Sequence, residues 1–251
     1  RSAIVRCVGN TNIVLGLYDG ENLTRSWRIK TDAYATADEY TIQLRALTAN
    51  SPEITGIALC STVPSVLREM RQMLSRDFGH VKSVIVEPGT KTGVSISTDN
   101  PKEVGTDRIV NSLAVFHRHG GPAIVVDFGT STNLDVVNAS GDFIGGALAP
   151  GIEISIDALA TRAAALRKIE LQKPRAAIGR NTVEALQSGA FYGFAGQVDR
   201  LVNQIIAEIG PVKAVVATGG LASTVVEACT TVTHVEPDLT LEGLRLVFER
   251  N

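Results

Sequence analysis

The sequence predicts an α/β protein built from two similar domains that face a cleft. Each half of the 251-residue chain begins with strand-like segments and continues with alternating helical and strand-like segments. Each half also contains a turn rich in glycine and hydroxyl or amide side chains, and the second turn lies about half a chain length after the first. Hydrophobic residues make up 44% of the chain, which is enough for both domains to have a packed core.

The individual elements are predicted from hydrophobic periodicity. Alternating or continuous apolar runs predict strands, and apolar residues spaced three and four positions apart predict helices. In the first half we predict strands at residues 13–18, 23–31, 54–61 and 81–86, with helices at residues 37–49 and 63–74. In the second half we predict strands at residues 123–127, 134–137, 142–148 and 213–217, with helices at residues 152–166, 182–209 and 241–250. No low-complexity linker separates the halves, so we expect a first domain of residues 1–115 and a second of residues 116–251.

The composition argues against several classes of protein. The net charge is −2 and aromatic residues make up only 5%, so we expect no nucleic-acid partner. No apolar run approaches the roughly 18 residues of a membrane-spanning helix, so we expect no membrane partner. The three cysteines (Cys7, Cys60 and Cys229) are odd in number and widely spaced, which is typical of reduced thiols and predicts a cytoplasmic protein.

The two matching turns suit phosphate binding. Glycine lets backbone N–H groups approach a phosphate closely, and neighbouring hydroxyls add donors. Either turn alone is better explained by an ordinary hairpin, but two turns at equivalent places favour phosphate. A third glycine-rich turn follows the late strand, where an adenosine site or an ordinary strand-to-helix turn is expected. The predicted ATP-binding residues are Gly9, Asn10, Thr11, Asn12, Gly129, Thr130, Ser131, Thr132, Gly219 and Gly220.

A series of short motifs occurs along the chain in a fixed order. They are Val8-Gly9-Asn10-Thr11-Asn12, Thr36-Ala37-Asp38-Glu39, Asp99-Asn100-Pro101, Gly105-Thr106-Asp107-Arg108, Asp127-Phe128-Gly129-Thr130, Pro150-Gly151-Ile152, Gly179-Arg180-Asn181-Thr182 and Leu239-Thr240-Leu241-Glu242-Gly243. In this order the chain resembles the type III pantothenate kinases over residues 8–251. The resemblance implies two actin-like (ribonuclease H-like) domains and ATP-dependent phosphorylation of pantothenate, the first step of coenzyme A synthesis. It also implies Mg²⁺, a monovalent cation (K⁺ or NH₄⁺) and a homodimer.

The resemblance further assigns roles to individual residues. Asp107 matches the general base of the family, although a helix cap or a surface pair with Arg108 would also explain it. Asp127 matches the monovalent-cation site, and a buried acid that caps the next turn is the alternative. Thr182 could equally be a plain N-cap. The positions that match pantothenate-binding residues are Thr98, Gly105, Arg108 and Thr182.

Departures from the family pattern at Cys7 and Thr98 leave three functions open, and the turn at residues 129–133 departs more mildly. Cys7 stands where the family has an aspartate that organises the magnesium–phosphate site, and a thiol does not replace a carboxylate as a hard-oxygen partner. Thr98 stands where a tyrosine usually lines the pantothenate pocket. The open functions are an active pantothenate kinase, a catalytically impaired relative that binds nucleotide or regulates, and a kinase with another small acceptor. Arg6 could bind phosphate, but strand alternation directs it away from the face of Cys7.

Three glycines on the predicted helix of residues 182–209 point to a packing contact. Gly189, Gly193 and Gly196 are spaced so that they share one face of the helix. Glycine costs about 1 kcal/mol inside a helix, so the cluster predicts close approach by another element. That element belongs either to the same chain or to a second subunit, and the resemblance favours the second subunit.

Overall fold

The computed structural model describes residues 2–163 and 166–251, which form ten strands and seven α-helices. The predicted helix at residues 152–166 partly lies outside the described residues. The elements in chain order are β1 (Ser2–Val8), β2 (Asn12–Asp19), β3 (Asn22–Lys30), α1 (Ala37–Thr48), β4 (Ile54–Ser61), α2 (Pro64–Asp77), β5 (Lys82–Ile85), α3 (Thr106–His119), β6 (Ala123–Phe128), β7 (Ser131–Val137), β8 (Phe143–Pro150), α4 (Ile152–Arg162), α5 (Thr182–Ile209), β9 (Ala214–Thr218), α6 (Ala222–Val225), β10 (His234–Val235) and α7 (Leu239–Arg250).

The chain divides into two compact units. The first comprises Arg1–Val94, Asp99–Ala114 and Leu239–Asn251, and the second comprises Ser95–Thr98 and Val115–Asp238. Helix α7 comes last along the chain but packs against β1, β2 and β4 of the first unit. The first unit is therefore made of three separate segments, whereas the sequence analysis expects a single boundary near residue 115. That boundary stays a prediction.

The first unit contains a five-stranded sheet with the order β3-β2-β1-β4-β5. Strands β1, β2 and β3 are antiparallel neighbours, whereas β1, β4 and β5 run parallel. Successive side chains of a strand point to opposite faces, so β1 contributes Ile4 to one core and Val5 to another. The Ile4 face packs with α1 and α2 through residues such as Tyr40 and Met70, and the Val5 face packs with α3 and α7 through residues such as Val110 and Leu244.

The second unit repeats this topology. Its sheet has the order β10-β9-β6-β7-β8, in which β6, β7 and β8 are antiparallel neighbours and β6, β9 and β10 run parallel. Reading that order from β8 to β10 gives the same arrangement as β3 to β5 in the first unit. Helix α5 packs on the sheet through Val198 and Val202, against Ile124 and Leu134. The prediction of two similar α/β domains is confirmed.

Local sequence explains where the helices begin. Thr36 and Glu39 form a capping box at α1, in which each side chain bonds the backbone N–H of the other residue. Asn181 caps α5 by accepting a hydrogen bond from the backbone N–H of Glu184. Pro64 occupies the first position of α2, where its missing N–H costs no helical hydrogen bond. None of the helices in the described ranges combines the length and apolar character needed to cross a membrane.

Candidate active site

The first predicted phosphate turn joins β1 to β2 in the first unit. Its backbone is held by a bond from Gly9 N–H to Asn12 O of 2.9 Å and by two bonds from Thr31, whose hydroxyl donates to Gly9 O at 2.7 Å and whose N–H donates to Thr11 O at 2.9 Å. The side chains of Asn10 and Thr11 are exposed. The turn is therefore fixed from one side and presents amide and hydroxyl groups on the other. No sequence pattern indicates the contribution of Thr31, which lies 22 positions after Gly9.

The residues just before this turn point to opposite faces of β1, as predicted. Cys7 lies on the face that packs with α3 and α7, whereas Arg6 is only 1% exposed on the face that packs with α1. The Arg6 guanidinium donates to Gln43 Oε1 at 2.9 Å and lies 4.9 Å from the centre of the Tyr40 ring. Burial lowers the pKa of Arg6 to about 10. Arg6 is thus directed into the core, which argues against a direct phosphate contact.

Asp107 lies in the first turn of α3. Its carboxylate accepts hydrogen bonds from the backbone N–H groups of Asp107 and Arg108, and burial nevertheless raises its pKa. A β-carbon at Gly105 would lie 2.7 Å from Asp107 Oδ1, so a larger residue there would displace the carboxylate from this position. The start of α3 therefore fixes the position of the carboxylate, although burial makes its charged form less stable. That combination suits a general base, and it also explains the helix-cap alternative, because one group serves both roles.

The second predicted phosphate turn joins β6 to β7 in the second unit. Gly129 N–H bonds Ser131 O at 3.1 Å, and the Ser131 hydroxyl donates to Asn133 Oδ1 at 2.8 Å. Gly129 and Thr130 are exposed, whereas Thr132 is 1% exposed. The hydroxyl oxygen of Thr132 has no hydrogen-bond partner among the described residues. The turn occupies the same place in its sheet as the first turn does in the other sheet.

The third glycine-rich turn lies beside the second turn, at the carboxyl ends of β6 and β9. Gly219 has a φ of +95°, and a β-carbon there would lie 2.5 Å from Phe128 O and 2.8 Å from Asp127 Oδ1. Only glycine adopts this conformation and leaves this space. The structure thus brings Asp127, the second turn and Gly219 together. Gly220, the next residue of the turn, is exposed.

Gly151 is a further residue of this region, to which the sequence assigned no role. A β-carbon at Gly151 would lie 2.0 Å from Thr130 O and 2.7 Å from Gly129 O, so the start of α4 packs directly on the second turn. A glycine between a strand and a helix inside a family motif was the available signal. The position is better explained by this close backbone approach than by a need for an unusual φ, because Gly151 has a φ of −67°.

The predicted acceptor residues are distributed over both units. Gly105 and Arg108 belong to the first unit, and Thr98 and Thr182 belong to the second. The hydroxyl oxygen of Thr98 is buried without a hydrogen-bond partner among the described residues. Thr182 is exposed at the first position of α5, and since Asn181 supplies the cap, the N-cap explanation of Thr182 is wrong.

Helices α4 and α5 border an apolar cavity of about 290 Å³ in the second unit. Leu159 on α4 and Leu186, Gly189 and Phe194 on α5 contribute to its lining. β-Carbons placed on Gly189, Gly193 and Gly196 would meet no atom within 4 Å. The close neighbour that this glycine face predicts is therefore not found among the described residues of the chain.

The side chains present can be tested against the ions that the family resemblance implies. Cys7 supplies a thiol beside the first turn, which does not fit Mg²⁺ as a ligand. Asp127 supplies a carboxylate oxygen close to the second and third turns, and the Phe128 carbonyl oxygen also lies close to the third turn. Carboxylate and carbonyl oxygens fit a hard cation. No group of three or more histidine, cysteine, aspartate or glutamate side chains suited to a metal ion occurs within residues 2–163 and 166–251.

Comparison with known sequences identifies close relatives. A family model described as type III pantothenate kinase matches residues 5–204. A type III pantothenate kinase of Frankia alni is 62% identical over 244 residues, covering 97% of each chain. The type III pantothenate kinase of Salinispora arenicola is 58% identical over 245 residues, again covering 97% of each chain.

Comparison with solved structures identifies the fold. A Campylobacter jejuni protein assigned to the Baf family of transcriptional activators has a TM-score of 0.61 at 17% identity, covering 99% of this chain and 98% of its own. The ROK hexokinase of Thermus thermophilus has a TM-score of 0.55 at 14% identity, covering 100% and 98%. At such identities the likeness concerns the fold alone, and it confirms the predicted actin-like fold.

Proposed function

The chain belongs to the type III pantothenate kinase family, and we propose that it transfers the γ-phosphoryl group of ATP to the primary hydroxyl of pantothenate. The observation that carries the proposal is the identity of 58% to 62% with type III pantothenate kinases over 97% of the chain. The reaction would be the first step of coenzyme A synthesis. Asp107, fixed at the start of α3 with a raised pKa, supplies the chemistry that the transfer needs.

Asp107 is the proposed general base. The acceptor hydroxyl is a weak nucleophile, and a carboxylate within hydrogen-bond reach takes its proton as the new O–P bond forms and ADP leaves. Burial raises the pKa of Asp107, which makes the carboxylate a stronger base than an exposed aspartate. The backbone N–H groups of Asp107 and Arg108 keep the carboxylate in one orientation.

The glycine-rich turns are the proposed phosphate and nucleotide contacts. The exposed Asn10 and Thr11 of the first turn and the exposed Gly129 and Thr130 of the second offer hydroxyl, amide and backbone donors. The buried Thr132 hydroxyl lacks a hydrogen-bond partner among the described residues, which is consistent with a donor reserved for a ligand. Gly219 and Gly220 form the third turn, at which the adenosine would bind.

The ions are assigned on the chemistry of the side chains. Asp127 would hold the monovalent cation, K⁺ or NH₄⁺, which would offset negative charge near the second and third turns. Mg²⁺ would be held by phosphate oxygens of ATP and by water, since Cys7 supplies a thiol instead of the carboxylate of the family. When bound, these cations would neutralise charge that develops on the transferred phosphoryl group.

The acceptor contacts follow the family pattern with one substitution. Arg108 offers paired N–H donors that match the carboxylate of pantothenate. The absence of a side chain at Gly105 leaves the Asp107 carboxylate accessible at the helix start. Thr98 provides a buried hydroxyl in place of a tyrosine, and Thr182 provides a hydroxyl that does not cap α5.

A homodimer is the proposed assembly, and the cytoplasm is the proposed location. The glycine face of α5 has open space within the described chain, and four apolar side chains around α4 and α5 are at least 41% exposed. These side chains are Ile154, Leu159, Val183 and Tyr192. A second copy that covers this apolar face would explain both features. The location follows from a metabolic activity and reduced thiols.

The test is ATP-dependent phosphorylation of pantothenate by the purified protein, with Mg²⁺ and with or without K⁺ or NH₄⁺. We expect turnover that requires the monovalent cation and that Asp107→Asn lowers kcat about 10²- to 10⁴-fold, the range of general-base catalysis. Glu53→Gln is the matched control, because it removes an exposed carboxylate of the first unit without touching the site. Near-normal turnover in Asp107→Asn would remove Asp107 from the role of base.

A catalytically impaired nucleotide-binding or regulatory protein is the second candidate, and Cys7 is the observation that favours it. If the thiol has cost the protein its catalytic metal arrangement, wild type should bind ATP without turnover and Cys7→Asp should restore activity at fixed Mg²⁺. If wild type turns over and Cys7→Asp brings no gain, the site works without that carboxylate and the kinase assignment stands.

A further inference from the structure

Two thiols face each other beside the first phosphate turn. Cys7 on β1 and Cys60 on β4 are direct partners in the parallel pairing of these strands, and their Sγ atoms are 3.4 Å apart. Both side chains lie on the face of the sheet that packs with α3 and α7. Cys60 is fully buried, whereas Cys7 is partly exposed. The pair therefore combines one sulfur that solvent reaches with one that the core protects.

The backbone geometry of the pair permits a covalent bond. Neighbouring strands lie about 4.8 Å apart, and a disulfide needs a Cα–Cα separation of about 4.4–6.8 Å. A disulfide S–S bond is about 2.05 Å long, so the two sulfurs need to approach by little more than an ångström, which side-chain rotation provides. Since direct partners in a parallel ladder project from the same face, no strand has to be reversed or shifted.

We propose that Cys7 and Cys60 form a reversible disulfide when the protein meets a peroxide. The oxidation of this cysteine pair does not depend on the kinase reaction. The proposal rests on the strand register and on the distance between the two sulfur atoms. Cys229, the third cysteine, lies in the second unit and is not a partner.

The reaction proceeds in two balanced steps. The Cys7 thiolate attacks hydrogen peroxide, which gives a sulfenic acid on Cys7 and releases hydroxide. The Cys60 sulfur then attacks the sulfenic sulfur, the S–S bond forms and water leaves, so that two thiols and one peroxide become one disulfide and two waters. Cys7 reacts first because it is the exposed partner, and Cys60 resolves the intermediate because it is in contact.

The disulfide would also act on the phosphate turn, a consequence that rests on the proposed function. Cys7 precedes Gly9 by two positions, and Thr62, two positions after Cys60, bonds Val8 O through its N–H at 3.0 Å and through its hydroxyl at 3.3 Å. A cross-link here would fix the carboxyl ends of β1 and β4 to each other. We expect a loss of turnover on oxidation that dithiothreitol reverses.

The experiment is peptide mapping of the whole protein after hydrogen peroxide, with remaining thiols blocked by N-ethylmaleimide. Trypsin without reductant should release residues 7–25 linked to residues 46–68, and dithiothreitol should separate them. Cys229→Ser is the matched control and should give the same linked peptide. Recovery of Cys7 and Cys60 as separately blocked or over-oxidised peptides, or a link to Cys229, would overturn the proposal.

A second variant tests the order of the two steps. In Cys60→Ala the resolving sulfur is missing, so the Cys7 sulfenic acid should persist and be trapped by dimedone, whereas wild type should give little adduct. Equal dimedone labelling of both proteins would overturn the resolving role of Cys60. The peptide map of wild type remains decisive if the variant does not fold. Inactivity of the reduced protein would count against the proposed function and leave the linked peptide as the separate result for the disulfide.

Discussion

At the scale of a single residue, Arg6 shows how one buried charged side chain lowers the stability of a hydrophobic core. Its guanidinium is 1% exposed, and the Nε and Nη1 atoms have no hydrogen-bond partner among the described residues. Its contacts with Gln43 and with the Tyr40 ring offset only part of the loss of hydration. The lowered pKa of Arg6, about 10, has the same cause.

We therefore expect Arg6→Met to raise the free energy of unfolding by about 1–3 kcal/mol, as found when buried charges are replaced by apolar side chains. Denaturant unfolding followed by the fluorescence of Trp27, the single tryptophan of the chain, measures this in the first unit. Arg28→Met on the exposed side of β3 is the control and should change stability little. A less stable Arg6→Met would mean that the guanidinium contributes more than it costs.

Asp107 gives a second prediction at this scale, the pH dependence of activity. The carboxylate is the active form of the base, and burial raises its pKa above the usual value of about 3.9. Turnover is therefore lost as the pH falls through this raised pKa, and it reaches its full rate at pH values above the pKa. We expect the acid limb of kcat/KM to lie above the pH at which an exposed aspartate titrates.

The measurement is the pH profile of kcat/KM, with Trp27 fluorescence recorded at each pH to establish that the protein is folded. An acid limb at the position of an ordinary aspartate, in a protein that is folded throughout, would contradict a base with a raised pKa.

At the scale of secondary-structure elements, Gly219 joins β9 to the turn beside Asp127, so its substitution should affect both. Gly219→Ala would combine a left-handed φ of +95° with a contact of 2.5 Å to Phe128 O. A β-carbon at a positive φ alone costs about 1–2 kcal/mol, so we expect a larger loss of stability and a weaker affinity for ATP.

Gly210→Ala is the matched control. Gly210 ends α5 with a φ of +86°, but a β-carbon there meets nothing within 4 Å. Thermal unfolding and ATP binding of the two variants separate the cost of the φ from the cost of the crowding. Equal effects of both substitutions would show that the contact with Phe128 relaxes without consequence.

Periodicity predicted most elements, but it did not delimit β1, α3, α6 or β10. The strand at residues 54–61 and the helix at residues 182–209 match β4 and α5 in both bounds. Strand β1 was not delimited because Arg6, a charged residue, interrupts its apolar run and is nevertheless buried. Strand β10 has two residues, too few for a period to appear.

The candidate site was predictable as a set of residues but not as contacts. The turns and the motif of Asp107 are local in sequence, so their composition was informative. The contacts of Thr31 with the first turn and of Gly151 with the second depend on strand pairing across many residues, which composition does not encode. The burial that raises the pKa of Asp107 is likewise a property of the fold.

At the scale of the whole molecule, the glycine face of α5 predicts the assembly. Gly193 is exposed, and a β-carbon there meets no atom within 4 Å, so a long side chain fits the described chain but would obstruct a partner. We expect wild type to be a dimer by light scattering, and Gly193→Arg to be monomeric with an unchanged circular dichroism spectrum.

Gln72→Arg is the control for this variant. It adds the same charge at an exposed position of α2 in the first unit, away from the three glycines, and should leave the dimer intact. A dimer that persists in Gly193→Arg would place the interface elsewhere on the molecule.

Helix α7 constrains the order in which the protein matures on the ribosome. The strands of the first unit are synthesised first, yet Leu241, Leu244 and Val247, which cover one face of their sheet, are synthesised after the second unit. The second unit is nearly continuous in sequence and can be completed while the first still has an uncovered apolar face. Until α7 is synthesised, this apolar face is therefore exposed to chaperones and to aggregation.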